Sequence, residues 1–428
     1  MSTHSHQARN YLASLLETKS LDEFSQQLAC NSENLPPKVR TSRRFTISSV
    51  EQQWQLLQVS PETQANLLDE QTRSHLASYH HHIENFIGTV KLPVGLAGPL
   101  RVNGLFAQGD YYIPLATTEA ALVASYSRGA QLISEAGGCS AMVLNEGVNR
   151  TPGFAFANLP EVGIFLAWVV NQQDEFKRCA EATTRYGQLK EMRMAVEGNH
   201  VYLDFQFTTG DAAGQNMVTI ATEAICNYIR DFAPVKPQYA FVEANLSGDK
   251  KASVQSFISV RGKKVTAEIT LPSELVRKRL HATPEQMVNY WRMSALGGVL
   301  SGTIGIQGHY ANGLAALYLA CGQDVACIAE SAVGVTRFEL TETGGLYAAV
   351  TLPNLMVGTV GGGTGLPSQQ ACLEILGLAG TGKARAFAEV CASLVLAGEL
   401  SIIGALASGE FTRAHQRLAR CAIVGDRH

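Results

Sequence analysis

The chain has 428 residues, 46% hydrophobic and 17% charged, which is enough for two or three globular domains and too apolar for a disordered protein. Its 34 lysines and arginines nearly balance 37 aspartates and glutamates, which argues against a general nucleic-acid-binding surface. The nine cysteines are scattered without a C-x-x-C pair, so reduced thiols and a cytoplasmic location are expected.

Neither a signal peptide nor a membrane span is expected. The amino terminus, MSTHSHQARN, lacks an apolar core. A long uncharged stretch, 293–323, contains Gln307, His309 and Asn312, which a lipid-facing helix would have no reason to hold. We interpret it as protein interior.

The composition and the residue pattern change along the chain, and these changes predict how it is organised. Residues 1–83 are polar and helical in character, and a glycine- and proline-punctuated region begins at Glu84. From Gly153 to Glu243, HVYLDFQF alternates with the period of a strand and NMVTIATEAICNYIRDF resembles a helix, so a compact α/β unit is predicted there. Residues 283–420 are predicted to be mainly helical and are rich in glycine and alanine.

Four segments carry candidate catalytic groups. Glu119 in LATTEAALVAS precedes an apolar run, where burial would raise its pKa and make it a proton donor. Lys250 and Lys251, in ANLSGDKKAS, offer cations to a developing oxyanion or to a carboxylate. Asp324 ends the long uncharged stretch, so a cationic partner is expected. His415 lies among arginines near the carboxyl end.

Two other motifs are set aside. The segment GLAGTGKA, 377–384, nearly matches a phosphate-binding loop but has alanine where the metal-binding hydroxyl is needed, so it is interpreted as the turn that ends a helix. The three histidines at 80–82 point in different directions on a helix, and no metal site is expected. No G-x-G-x-x-G opens a helix after a strand, so a conventional dinucleotide-binding fold is not predicted.

Taken in order, the motifs resemble those of the 3-hydroxy-3-methylglutaryl-coenzyme A (HMG-CoA) reductase family, in its soluble bacterial form, over roughly 84–421. The resemblance depends on ENFIG, PVGLAGPL, ATTEAALVAS, GDKK, HYAN, GQD, GTVGGGTGLP and the terminal histidine segment. It implies an α+β fold: a large domain around a central helix (84–151 and 242–428), an inserted ferredoxin-like small domain that binds the nucleotide (152–241) and a helical N-terminal segment (1–83). It further implies a homodimer or higher homo-oligomer with interfacial active sites, and no membrane anchor.

The implied activity is the four-electron reduction of (S)-HMG-CoA to (R)-mevalonate and free coenzyme A, within the mevalonate pathway of isoprenoid biosynthesis. By resemblance, Lys250 stabilises the carbonyl oxygen during hydride transfer. Glu119 supplies a proton at the aldehyde stage, and Asp324 lies between Lys250 and Glu119, so that the three titrate as a coupled group. His415 protonates the departing coenzyme A thiolate.

The same resemblance implies the ligand contacts. Arg150 and Lys251 are similar to the cations that hold the distal carboxylate of the substrate, with Ser125 and Asn312 as neighbouring hydrogen-bonding groups. In GDAAGQNM, Asp211 and Asn216 are the positions carried over for the cofactor, NADPH, with NADH possible.

Some residues depart from the family pattern. Asn199 and His200 stand where animal-type enzymes place an arginine that helps to hold the 2′-phosphate, which leaves NADH open. Glu243 and Ile328 replace a small polar residue and an asparagine. A reductase of the same fold acting on a different acyl-CoA thioester therefore remains an alternative, as does a catalytically silent coenzyme A-binding protein.

Overall fold

The structure is a computed structural model that describes residues 4–30, 37–39 and 45–410. It mixes helices with an extended sheet, so the α+β class expected from the sequence is confirmed. The described residues form two compact units, one comprising residues up to Leu76 with Ile83–Thr89, and the other Ala77–His82 with Val90 onward.

The first unit is helical, as the sequence predicts, and contains α1 (Ser5–Leu16), α2 (Leu21–Leu28), α3 (Ile47–Gln55), α4 (Pro61–Leu67) and α5 (Glu70–Ser74). Polar caps define several helix starts. Ser20 and Thr46 form capping boxes at α2 and α3, and these satisfy backbone N–H groups that would otherwise lack partners. The buried Trp54 donates from its indole Nε1 to the carbonyl of Ile87 at 2.9 Å.

The second unit is built on one ten-stranded sheet. Its strands are β1 (Val94–Gly104), β2 (Gln108–Ala116), β3 (Cys139–Arg150), β4 (Gly153–Ala155), β5 (Gln188–Glu197), β6 (His200–Thr208), β7 (Tyr239–Phe241), β8 (Gly262–Leu271), β9 (Val335–Leu340) and β10 (Leu346–Leu355). The main path runs β7-β4-β6-β3-β8-β10-β9; β1 pairs with β2 and β3, and β5 pairs with β6.

Eleven helices accompany this sheet among the described residues. They are α6 (Leu122–Glu135), α7 (Leu159–Val169), α8 (Gln173–Glu181), α9 (Gln215–Phe232), α10 (Gln255–Ile258), α11 (Ser273–Leu280), α12 (Pro284–Ser301), α13 (Tyr310–Ala320), α14 (Ile328–Ser331), α15 (Pro367–Ile375) and α16 (Ala384–Ala407). Strands β4–β7 and helices α7–α9 follow one another in the chain, from Gly153 to Phe241. The division into domains itself stays a prediction.

Helix α16 is the core helix of the second unit. It is long and apolar enough to cross a membrane, yet 83% of its most apolar window is buried inside the protein. Two buried glutamates on it accept hydrogen bonds from backbone N–H groups elsewhere: Glu389 from Phe106 and Ala107, and Glu399 from Gly308 and His309. A buried carboxylate needs such donors, so α16 fixes two loops from within the core.

The mainly helical character predicted for 283–420 is wrong in one part. Strands β9 and β10 form an antiparallel pair there, and β10 also pairs with β8. Strand β10 is buried along most of its length, and such a strand lacks the alternation that distinguishes a half-exposed one.

Candidate active site

Lys250 and Asp324 form an ion pair, with 2.8 Å between Nζ and Oδ2. Lys250 adopts a left-handed backbone conformation (φ 56°) in the loop after β7, and its N–H donates to the buried Glu330. Asp324 follows α13, and its Oδ1 accepts the N–H of Ala326. The cationic partner expected for Asp324 is therefore present. The hydrogen bond between Lys250 and Asp324 raises the pKa of Lys250, so the ammonium stays charged.

A network of buried charges lies behind this pair. Arg261 is 1% exposed and contacts both Asp249 and Glu330, the latter at 2.7 Å. Asp249 also pairs with Arg150 at 2.9 Å. Burial alone would raise the pKa of Asp249, but the charges of Arg261 and Arg150 hold it below its ordinary value. The loop that carries Lys250 is thus attached to the core by the ion pairs of Asp249 and by the hydrogen bond from the Lys250 N–H to Glu330.

Burial raises the pKa of Glu330 from 4.5 to about 7, although the charge of Arg261 opposes this shift. Between these two pH values the folded protein retains a proton that the unfolded chain has lost, so this residue makes stability fall as pH rises. The unfolding free energy is measured at pH 5 and at pH 8. We expect its decrease between these two pH values to be smaller in Glu330→Gln than in wild type, by up to about 3 kcal/mol. The exposed Glu374→Gln is the control, and an unchanged pH dependence in Glu330→Gln would contradict the assignment.

Glu119 and Asn312 form a second cluster. The side-chain amide of Asn312 donates to Glu119 Oε2 at 2.9 Å. Ser125 lines the same cavity of about 490 Å³ and hydrogen-bonds Ser401 at 2.9 Å. Glu119 is exposed in the single chain, which differs from the burial expected of it. The reason is local: α6 begins only at Leu122, so Glu119 lies on the turn before the helix.

The two clusters lie at opposite ends of α13. Asn312 is in its first turn, whereas Asp324 follows its last residue, and eleven helical residues span about 16 Å. Within one chain, Asp324 therefore contacts Lys250 but does not lie between Lys250 and Glu119. This differs from the arrangement that the resemblance implies.

A cavity of about 540 Å³ adjoins the Lys250–Asp324 pair. Asn216 lines it at the start of α9, whose N-cap, Gly214, provides no side-chain cap. Glycines form much of the remaining wall, namely Gly322, Gly358, Gly361, Gly362 and Gly363. A Cβ on Gly322 would collide with the backbone of Gly363. Backbone N–H groups at an uncapped helix start suit a phosphate or another anion.

Asp211 has a different environment from Asn216. Its carboxylate accepts the N–H groups of Gly382, at 2.7 Å, and of Ala384, at 3.1 Å. These donors belong to the GLAGTGKA segment, whose first residues close the C-terminus of α15, as predicted. Because Asp211 satisfies those N–H groups, the segment does not offer them to a phosphate.

The predicted site residues are thus divided between two places. Lys250, Asp324 and Asn216 line one cavity, while Glu119, Ser125 and Asn312 line the other. The Lys251 ammonium is exposed and donates to the backbone carbonyl of Asp249. His415 lies outside the described residues.

Sequence reasoning did not identify Arg128, Arg261 or Glu330 as parts of these sites. Arg128 lines the cavity beside Glu119 and donates to Ser401. Each follows a motif closely in the sequence: Arg128 follows ATTEAALVAS, Arg261 follows GDKK and Glu330 follows GQD. Their nearness to these motifs was the signal that could have identified them.

Three comparisons place the chain among known proteins. The family model for hydroxymethylglutaryl-coenzyme A reductase matches residues 49–420. The chain is 44% identical to the 3-hydroxy-3-methylglutaryl-coenzyme A reductase of Pyrococcus horikoshii, covering 79% of this chain and 84% of that one. It is 43% identical to that of Methanocaldococcus jannaschii, with 79% and 85% coverage.

Among solved structures, the class II reductase of Streptococcus pneumoniae bound to NADPH is similar in fold. The TM-score is 0.64 at 20% identity, covering 85% of this chain and 98% of that one. The family match spans most of the chain and includes both clusters described above. The chain belongs to the hydroxymethylglutaryl-coenzyme A reductase family.

Proposed function

We propose that the chain reduces HMG-CoA to mevalonate and free coenzyme A. The thioester, two reduced nicotinamides and two protons yield the primary alcohol, two oxidised nicotinamides and the thiol. The observation that supports this most directly is the Lys250–Asp324 pair beside a glycine-lined cavity. A fixed ammonium next to a space for an anionic ligand suits a reaction that develops negative charge on a carbonyl oxygen.

Each described catalytic group has a role that its surroundings support. Lys250 donates to the carbonyl oxygen as hydride reaches the carbon, and Asp324 positions the ammonium. Glu119, oriented by Asn312, delivers a proton to the aldehyde-stage oxygen. The role of His415, protonation of the coenzyme A thiolate, remains a proposal from the sequence.

The proposed cofactor is NADPH, which supplies hydride at each reduction step. The similar Streptococcus pneumoniae structure is described as bound to NADPH. In this chain the uncapped start of α9, Asn216 and the adjoining glycines fit a phosphate-bearing ligand. The side-chain amide of Asn199 donates to the carbonyl of Phe156, and the His200 ring forms a hydrogen bond with the hydroxyl of Tyr239. Neither is an arginine or a lysine, so NADH stays an alternative, and assays with both nucleotides would distinguish them.

A stoichiometric assay tests the activity. We expect two nicotinamides to be oxidised for each coenzyme A thiol released, with mevalonate as the product. A ratio of one with accumulating aldehyde would contradict the four-electron reaction, and no turnover would support the silent-binder alternative.

We further propose a homodimer or higher homo-oligomer whose active sites combine two chains. Within one chain the Glu119 and Lys250 clusters lie at opposite ends of α13. Helix α12 also carries an apolar face in which Met293, Leu296, Val299 and Leu300 are 68% to 89% exposed. Such a patch is typical of an interface, and a second copy is the partner we propose for it.

A cytoplasmic location is proposed as well. Among the residues described, the eight cysteines are all free, and six of them are buried. Reduced thiols are typical of the cytoplasm.

A further inference from the structure

Arg150 is already paired within the protein. Its guanidinium is almost fully buried, and Nη1 lies 3.0 Å from Glu243 Oε2 and 2.9 Å from Asp249 Oδ2. Its Nε has no hydrogen-bond partner among the described residues. A carboxylate that approached Arg150 from a substrate would therefore meet two carboxylates already bound to it.

Glu243 is held firmly in this place. Its Oε1 accepts the N–H of Asn245 at 2.7 Å, and its Oε2 accepts the hydroxyl of Ser247 at 3.0 Å in addition to Arg150. Its side chain is 23% exposed. These contacts fix the Glu243 carboxylate beside Arg150.

Among the described residues, the buried charges around Arg150 include no cation that lacks a carboxyl partner. The two guanidiniums, of Arg150 and Arg261, face three carboxyl groups, those of Glu243, Asp249 and Glu330. Lys250 is paired with Asp324. Lys251 lies on the same loop, and its ammonium donates to the backbone carbonyl of Asp249 but to no carboxylate among the described residues.

We infer that Glu243 is a specificity-determining residue that competes with the distal carboxylate of the acyl group for Arg150. It weakens the hold of Arg150 on the distal carboxylate of HMG-CoA, so the chain discriminates less strongly between an acidic distal end and an uncharged hydrogen-bonding one. A carboxamide at that end can donate to Glu243, whereas a carboxylate is repelled by it. Lys251 is then the main cation for an acidic distal end. This inference rests on the proposed reductase function.

The test uses a matched pair of substrates: HMG-CoA and its analogue in which a primary carboxamide replaces the distal carboxylate. kcat/KM is measured for both in wild type and in Glu243→Gln, which removes the charge but retains the shape. We expect the ratio of kcat/KM for acid over amide to rise at least tenfold in Glu243→Gln, mainly through the KM for the acid.

Glu243→Asp, which keeps the charge, is the control and should leave the ratio near that of wild type. A merely structural role would change both substrates alike, so an unchanged ratio in Glu243→Gln overturns the inference. If that variant does not fold, as judged by circular dichroism, Glu243→Ser is measured in the same way. If wild type turns over neither thioester, the proposed function itself fails, which is a separate outcome.

Discussion

Replacement of Lys250 by alanine is expected to lower kcat by a hundredfold or more. The ammonium is fixed by Asp324 and adjoins the cavity proposed for the cofactor. Removal of a donor that is placed in advance against a developing oxyanion typically costs a factor of about 10² to 10³. The measurement is kcat at saturating substrate, with the nicotinamide absorbance as the signal.

The exposed Lys278→Ala provides the control, because Lys278 lies on α11, outside both clusters. It should retain wild-type kcat. Thermal unfolding of Lys250→Ala should remain close to wild type, since its side chain is 40% exposed. A well-folded Lys250→Ala protein with undiminished kcat would contradict the role assigned to Lys250.

The pairing of Lys250 with Asp324 could be predicted from the sequence by an energetic argument. Asp324 ends a long uncharged stretch, and a carboxylate in apolar surroundings needs a counter-charge. The motifs that carry the family resemblance supplied Lys250 as the cation. The pair forms, but both side chains remain about 40% exposed in one chain, because the loops that carry them meet at the surface of the cavity.

The environment of Arg150 could not be predicted in the same way. Its partners, Glu243 and Asp249, lie on a loop about a hundred residues away, and only the pairing of β3, β4, β6 and β7 brings that loop to the end of β3. No local period or spacing encodes such a contact. Sequence reasoning could identify Glu243 as a departure from the family pattern, but not that it binds the arginine expected to hold the substrate.

Glu119 illustrates a different limit. The sequence places Glu119 immediately before an apolar run, and that position predicts a buried side chain. The left-handed conformation of Ala121 (φ 69°) separates it from α6 and leaves it on an exposed turn. Side-chain burial depends on where a helix begins, which a hydrophobic run fixes only to within a few residues.

A heterodimer that carries Glu119→Ala in one chain and Lys250→Ala in the other is expected to recover activity that neither homodimer shows. If Glu119 of one chain completes the Lys250–Asp324 site of the other, the heterodimer contains one site with both changes and one intact site. It should then have about half the wild-type kcat per dimer, as the two-fold symmetry of the interface requires.

Coexpression of the two variants with different affinity tags, followed by two successive purifications, isolates the mixed species. Each singly substituted homodimer, purified with the same tags, is the matched control. If both groups acted within one chain, every site of the heterodimer would carry one defect and no activity would return. Recovery of no mixed species would contradict assembly itself. Restored turnover would show that each active site combines the Glu119 cluster of one chain with the Lys250 cluster of the other. The position of the two clusters at opposite ends of α13 in one chain would then be explained.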